Sequence, residues 1–155
     1  MPLKSIPLLQ TLLERAEAER DAAQAEFKLA EQQTRRARSQ ADDLHQYRSE
    51  YDQRWVSHFR QSGTPVLVQC HRSFGQRLDS AIDLQHNTAR QLDQRSQQAR
   101  RLLLEREQRV AAVRKLIQRR QAEAQRLSDQ REQRNTDEAA QRRHAGQQPL
   151  SSASS

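Results

Sequence analysis

Apolar side chains recur at alternating steps of three and four residues over two long stretches of this chain. That pattern buries a narrow stripe along a helix and little else. The first series runs Ile6, Leu9, Leu13, Ala16, Arg20, Ala23, Phe27, Ala30, Thr34, Ala37, Ala41, Leu44, Arg48, Tyr51, Trp55 and His58, and twelve of these sixteen are apolar or aromatic. The second runs Leu78, Ile82, Gln85, Ala89, Leu92, Ser96, Ala99, Leu103, Arg106, Val110, Val113, Ile117, Arg120, Ala124 and Leu127, with eleven of fifteen apolar. A mean step of 3.5 residues is the coiled-coil period and predicts a left-handed supercoil.

Between the two series lies Arg60-Gln61-Ser62-Gly63-Thr64-Pro65, where strong helix breakers cluster. Gly63 suits a left-handed or open backbone, and Thr64 before Pro65 is a good N-cap and first-turn pair. A chain that reverses here brings two stripes together that neither helix can bury alone. The expected fold is all-α: a long two-helix antiparallel coiled-coil hairpin, with helices over about 6–61 and 65–143, a turn at 62–64 and arms of about 80 Å. Ser5 is the expected cap of the first helix, with Pro7 in its first turn. Residues 144–155, with Gly146, Pro149 and a serine-rich end, lack periodicity and are expected to be disordered.

Composition agrees with this reading. Only 34% of the chain is hydrophobic and 4% aromatic, too little for a thick core, while 24 Arg and 24 Gln with many Ala and Leu favour helix. A single cysteine, Cys70, excludes an intramolecular disulfide. No secretion signal is evident at the start and no apolar run approaches the roughly 20 residues of a membrane span, so a cytoplasmic address is expected. No direct membrane insertion is expected either; membrane association would go through a partner or the surface.

Charged interruptions of the stripes carry information of their own. In an antiparallel register Arg20 falls near Glu107, Arg48 near Asp79 or Asp83, and Arg106 near Asp21 or Glu26. Such pairs would fix the register; the alternative is that the arginines snorkel out of the seam. From about Gln125 to Arg143 the second helix has no opposite neighbour, so that overhang is expected to be exposed or bound to a partner.

The net charge of +7 lies mostly on the second half. Between Arg95 and Arg120 nine cations face only Glu105 and Glu107, and Arg100, Arg101, Arg109, Arg114 and Arg119 form a basic surface suited to an acidic partner. Nucleic acid is the sharpest alternative on charge alone, but no aromatics interleave the cations and Val110, Val113 and Ile117 continue the seam, so none is expected as a partner. Catalytic chemistry is not expected: there is no phosphate-binding glycine loop, no zinc-type spacing and no nucleophile with an evident base. His58, Cys70 and His71 near the turn are poorly spaced for a metal, and tip packing is the expectation. Tyr47, Tyr51, Trp55, Phe59 and Phe74, joined by Val66, Leu67 and Val68, exceed what a two-helix tip can bury and suggest a docking patch.

Two blocks flank the turn: Tyr47-Arg48-Ser49-Glu50-Tyr51 before it and Phe74-Gly75-Gln76-Arg77-Leu78-Asp79-Ser80-Ala81-Ile82 after it. With the opening Leu12-Leu13-Glu14 and Glu17-Ala18-Glu19-Arg20-Asp21 heptads, they resemble the FliJ family of bacterial flagellar export proteins over about residues 5–140. The resemblance implies a non-enzymatic stalk without cofactor or metal. Such a stalk binds the hexameric export ATPase FliI and the membrane export-gate protein FlhA, and escorts export chaperones, coupling ATP hydrolysis to type III secretion. It further implies a cytoplasmic protein held peripherally at the inner membrane of the flagellar base. Phe74, Leu78 and Ala81 match the family's gate-contacting surface, with Gln85 where a histidine would complete it, and Tyr47, Glu50 and Tyr51 carry the motif at the tip. A generic coiled-coil scaffold is the other non-enzymatic reading.

Overall fold

The structure, a computed structural model, describes residues 2–147, and all of these except Gly63 and Thr64 are helical. Helix α1 spans Pro2–Ser62 and α2 spans Pro65–Gln147. The all-α hairpin expected from the seam is what forms.

The turn works through its cap. Thr64 Oγ1 accepts from the Leu67 amide at 3.4 Å, its carbonyl accepts from Val68 N at 3.1 Å, and Pro65 fills the first helical position, where an amide would have no partner. Of the two backbones that suit a glycine here, left-handed or open, Gly63 does not take the left-handed one. Space decides the residue instead: a Cβ there would lie 2.5 and 2.8 Å from ring carbons of Phe59.

Two further expectations change. Ser5 is not the cap, because α1 already begins at Pro2, where a proline is tolerated at a helix start; Ser5 and Pro7 lie inside the helix. At the other end α2 continues to Gln147, so 144–147 of the expected disordered tail are helical. Residues 148–155 lie outside the described ones.

The chain divides into two compact units, one formed by Glu17–Glu107 and the other joining residues up to Ala16 with those from Gln108 onward. Within the first, the buried side chains are Ala23, Thr34, Ala37 and Ala41 of α1 and Leu78, Ile82, Ala89 and Ser96 of α2. All lie on the expected stripes. The stripe of α2 also reaches further back than its apolar residues: Gly75 is buried and His71 and Val68 are half-buried at the same spacing. Gly75 makes room for a guanidinium, since a Cβ would sit 2.9 to 3.1 Å from the Nη and Cζ atoms of Arg48.

Small side chains dominate the middle of this seam, and polar groups close it. Thr34 Oγ1 donates to the Ala30 carbonyl at 2.9 Å, which satisfies a hydroxyl that is otherwise buried. Gln85 Nε2 reaches across to the Ala37 carbonyl at 3.1 Å and Gln40 Oε1 at 3.0 Å.

The charged interruptions are matched across the hairpin in two of three cases. Arg48 Nε donates to Asp79 Oδ1 at 3.0 Å, as expected, and its Nη1 to Asp52 Oδ1 at 2.7 Å. Arg106 Nη1 meets Glu19 Oε2 at 3.0 Å, two residues earlier on α1 than Asp21. Arg20 bonds its neighbour Asp21 rather than Glu107, because a carboxylate on the same turn is reached without extending the side chain across the seam. Arg38 adds a cross-helix pair to Asp93 at 3.0 Å.

Arg48→Glu is therefore expected to lower stability by about 1–2 kcal/mol. Two pairs with half-exposed carboxylates are lost, each worth at most about 1 kcal/mol, and three acidic groups are left together. Adding Asp79→Arg should restore most of the loss in urea melts. A destabilisation that the second substitution leaves unchanged would show that Arg48 acts through packing alone.

In the other unit the buried residues are Leu9, Ala16, Val110 and Ile117, again on the expected stripes. Past Ala124 every described side chain of α2 is exposed. This last stretch is mostly polar, Leu127 aside, and relies on pairs one turn apart: Gln125 Nε2 donates to Asp129 Oδ1 at 3.0 Å and Gln133 Nε2 to Asp137 Oδ1 at 3.3 Å.

Candidate partner-binding site beside the turn

Helical spacing sets Tyr51 and Trp55 one turn apart on the face of α1 that meets the start of α2. The His71 imidazole of α2 stacks on both, 4.2 Å from Trp55 with planes 9° apart and 4.9 Å from Tyr51 at 16°. Phe74, one turn further along α2, lies tilted against Tyr51, with 4.8 Å between centroids and 58° between planes. Face-to-face and tilted ring contacts of this kind add rigidity beyond the area they bury. His71 is thus part of the aromatic packing. Its Nε2 lies 3.8 Å from Asp52, which Arg48 also holds. His58 and Cys70 are exposed, and among the described residues no three or more His, Cys, Asp or Glu side chains come together to hold a metal.

The motif residues divide between core and surface. Leu78 is 9% exposed and belongs to the seam. Tyr51 and Ala81 are half-buried, whereas Tyr47 is 46% and Phe74 37% exposed, large aromatic area left open on the flanks. Glu50 is exposed, its Oε1 accepting from Gln46 Nε2 at 3.3 Å.

Tyr47 also borders a shallow groove of 530 Å³ whose other walls are Gln40, Asp43, Leu44 and Gln85. Gln40 and Gln85 are shared with a second groove of 380 Å³ that runs to Arg36, Leu92 and Arg95. These depressions arise where the seam narrows to Ala37 and Ala41, too small to fill the space between two helices. The periodic pattern places Leu44 and Gln85 on the stripes but points to neither Gln40 nor Asp43. The signal for the groove is the coincidence of alanines on one stripe with a glutamine, Gln85, on the other.

Elsewhere in this unit His45 and His86 meet across the helices, Nε2 to Nε2 at 2.7 Å, so one ring donates and the other accepts. Chemically, the site offers apolar and aromatic area bordered by amide groups, which suits the binding of a protein segment.

The arginines expected to form a basic surface all lie off the seam and are exposed: Arg100 and Arg101 in the unit with the turn, Arg109, Arg114 and Arg119 in the other. No helix among the described residues is long and apolar enough to cross a membrane.

The family model described as "Flagellar FliJ protein" matches residues 5–149 of the chain. No curated protein and no solved structure matches it.

Proposed function

The chain belongs to the FliJ family of flagellar proteins, a component of flagellar export, and from this premise we infer a non-enzymatic coupling role between the export ATPase and the membrane export gate. The surface beside the turn takes the gate protein FlhA. The α2 segment beyond Ala124, with Arg109, Arg114 and Arg119 before it, takes the acidic lining of the hexameric ATPase FliI. Export chaperones awaiting cargo are bound by the same protein between rounds. Its place is the cytoplasmic side of the inner membrane at the flagellar base, reached through these partners.

The observation that carries the gate assignment is the exposure of Phe74 and Tyr47, the first residues of the two family blocks. Neither is needed to close the seam, since Leu78, Ile82 and the stacked His71 already do so. Exposed aromatics beside a shallow groove are the usual anchors of a protein interface. Leu78, buried in the seam, supports this surface by holding α2 in place behind Phe74.

The test titrates the protein into the matching ATPase and, separately, onto the gate protein, beside a Tyr47→Ala/Phe74→Ala variant. ATP hydrolysis should rise equally with both proteins, while gate binding by the variant falls roughly tenfold or more. Equal gate binding by a folded variant would remove the surface from the proposal. Failure of both proteins to stimulate hydrolysis would leave the scaffold reading.

A further inference from the structure

We propose that the turn itself docks on an anionic lipid surface, seating its apolar side chains at headgroup level without a span. The inference stands apart from the gate reading, because it uses a different set of residues and a different occupant.

Four large apolar side chains project at the end of the hairpin: Val56 and Phe59 from the last turns of α1, Val66 and Leu67 from the first turn of α2. They are 44 to 73% exposed. Phe59 leans on Gly63 and Trp55, the latter at 5.8 Å between centroids, and still leaves about half its surface open. Side chains standing on either side of a two-residue turn form a convex end, which fits a deformable, flat surface better than a preformed groove.

Charge makes the second argument. From Gln53 to Leu78 the chain has no acidic residue and four arginines, although acids and bases are balanced over residues 1–61 as a whole. Arg54, Arg72 and Arg77 are exposed behind the apolar end, and the first acids on either side are Asp52 and Asp79, both held by Arg48. An apolar apex with a cationic collar is the arrangement that interfacial segments use, the side chains entering the headgroup and acyl boundary while the cations meet lipid phosphates. An acidic protein would also answer the charge, but it would have to supply a matching concave apolar receptor for these four side chains.

Trp55, the only tryptophan, lies one turn from Phe59 and reports on the contact. Full-length protein would be mixed with vesicles of phosphatidylglycerol and phosphatidylethanolamine, and with phosphatidylcholine vesicles, each containing lipid brominated near the headgroup end of the acyl chain. Binding to the anionic vesicles with quenching of Trp55 is the expected result, with partitioning roughly tenfold or more weaker to the neutral ones. Phe59→Ser/Leu67→Ser should lose quenching and at least tenfold in partitioning while keeping its helicity, because both side chains are exposed. A control, Arg119→Glu/Arg120→Glu/Arg126→Glu, should keep the quenching. Three results would overturn the proposal: no vesicle binding, binding without quenching, which means adsorption through the basic part of α2, or quenching that the double serine variant retains. None depends on the gate protein, which these vesicles lack.

Discussion

Replacing Ile82 with aspartate is expected to cost about 3–5 kcal/mol and to lower the melting temperature by roughly 10 °C. Ile82 is 6% exposed and sits on the α2 stripe between the buried Gly75 and Ala89. Arginines survive in this seam because their long stems carry the charge to its edge, as Arg48 and Arg106 do to reach Asp79 and Glu19. Aspartate has no such reach. Its carboxylate would remain among apolar neighbours, one turn from Asp79, whose charge repels it and already occupies Arg48. Leu84→Asp is the companion measurement. Leu84 is 68% exposed on the same helix, and the same substitution there should change stability by no more than about 0.5 kcal/mol. Urea unfolding followed by helical circular dichroism reads both. Equal losses at the two positions would mean that helix propensity, not the seam, holds the hairpin together.

The contrast between Ile82 and Leu84 was legible in the sequence, since a stripe with a period of 3.5 separates two leucine-like residues only two positions apart. Less of the surface was legible. His71 and Gly75 continue the stripe of α2 toward the turn, but an imidazole and a glycine do not register as apolar, so the apolar pattern begins only at Leu78. What they do there depends on the other helix: Trp55 and Tyr51 for the imidazole, the Arg48 guanidinium for the glycine. Arg106 shows the same limit. Its need for an acid across the hairpin could be foreseen, whereas the choice of Glu19 over Asp21 depends on a displacement of half a turn that helix boundaries do not specify. The groove beside Tyr47 is a difference in volume between two stripes, and neither stripe contains it alone. Gly63 is the instructive reversal. A glycine in a turn suggests an unusual backbone, yet here it answers to the ring of Phe59.

Truncating the chain after Ala124 should leave its folding almost untouched and its proposed work at the ATPase largely lost. The structural half of that expectation follows from exposure. Beyond Ala124 every described side chain faces solvent, and the bonds that hold the helix there, Gln125 to Asp129 and Gln133 to Asp137, lie within the segment removed. Little buried apolar area leaves with it, Leu127 at 36% exposure being its one large apolar side chain among the described residues, so the melting temperature should change by less than about 2 °C. The functional half rests on the proposed role. A mostly polar helix that buries almost nothing within its own chain is free to bind something outside it, and its arginines suit an acidic channel, where complementarity orients a partner without a large apolar interface. Affinity for the ATPase ring is expected to fall by roughly tenfold or more, and steeply weaker binding at high salt should mark what the full-length protein does there. Binding to the gate protein through Phe74 and Tyr47 should persist. Ring binding that survives the truncation would move the ATPase contact to the paired part of the hairpin, leaving Arg109, Arg114 and Arg119 to be tested in its place.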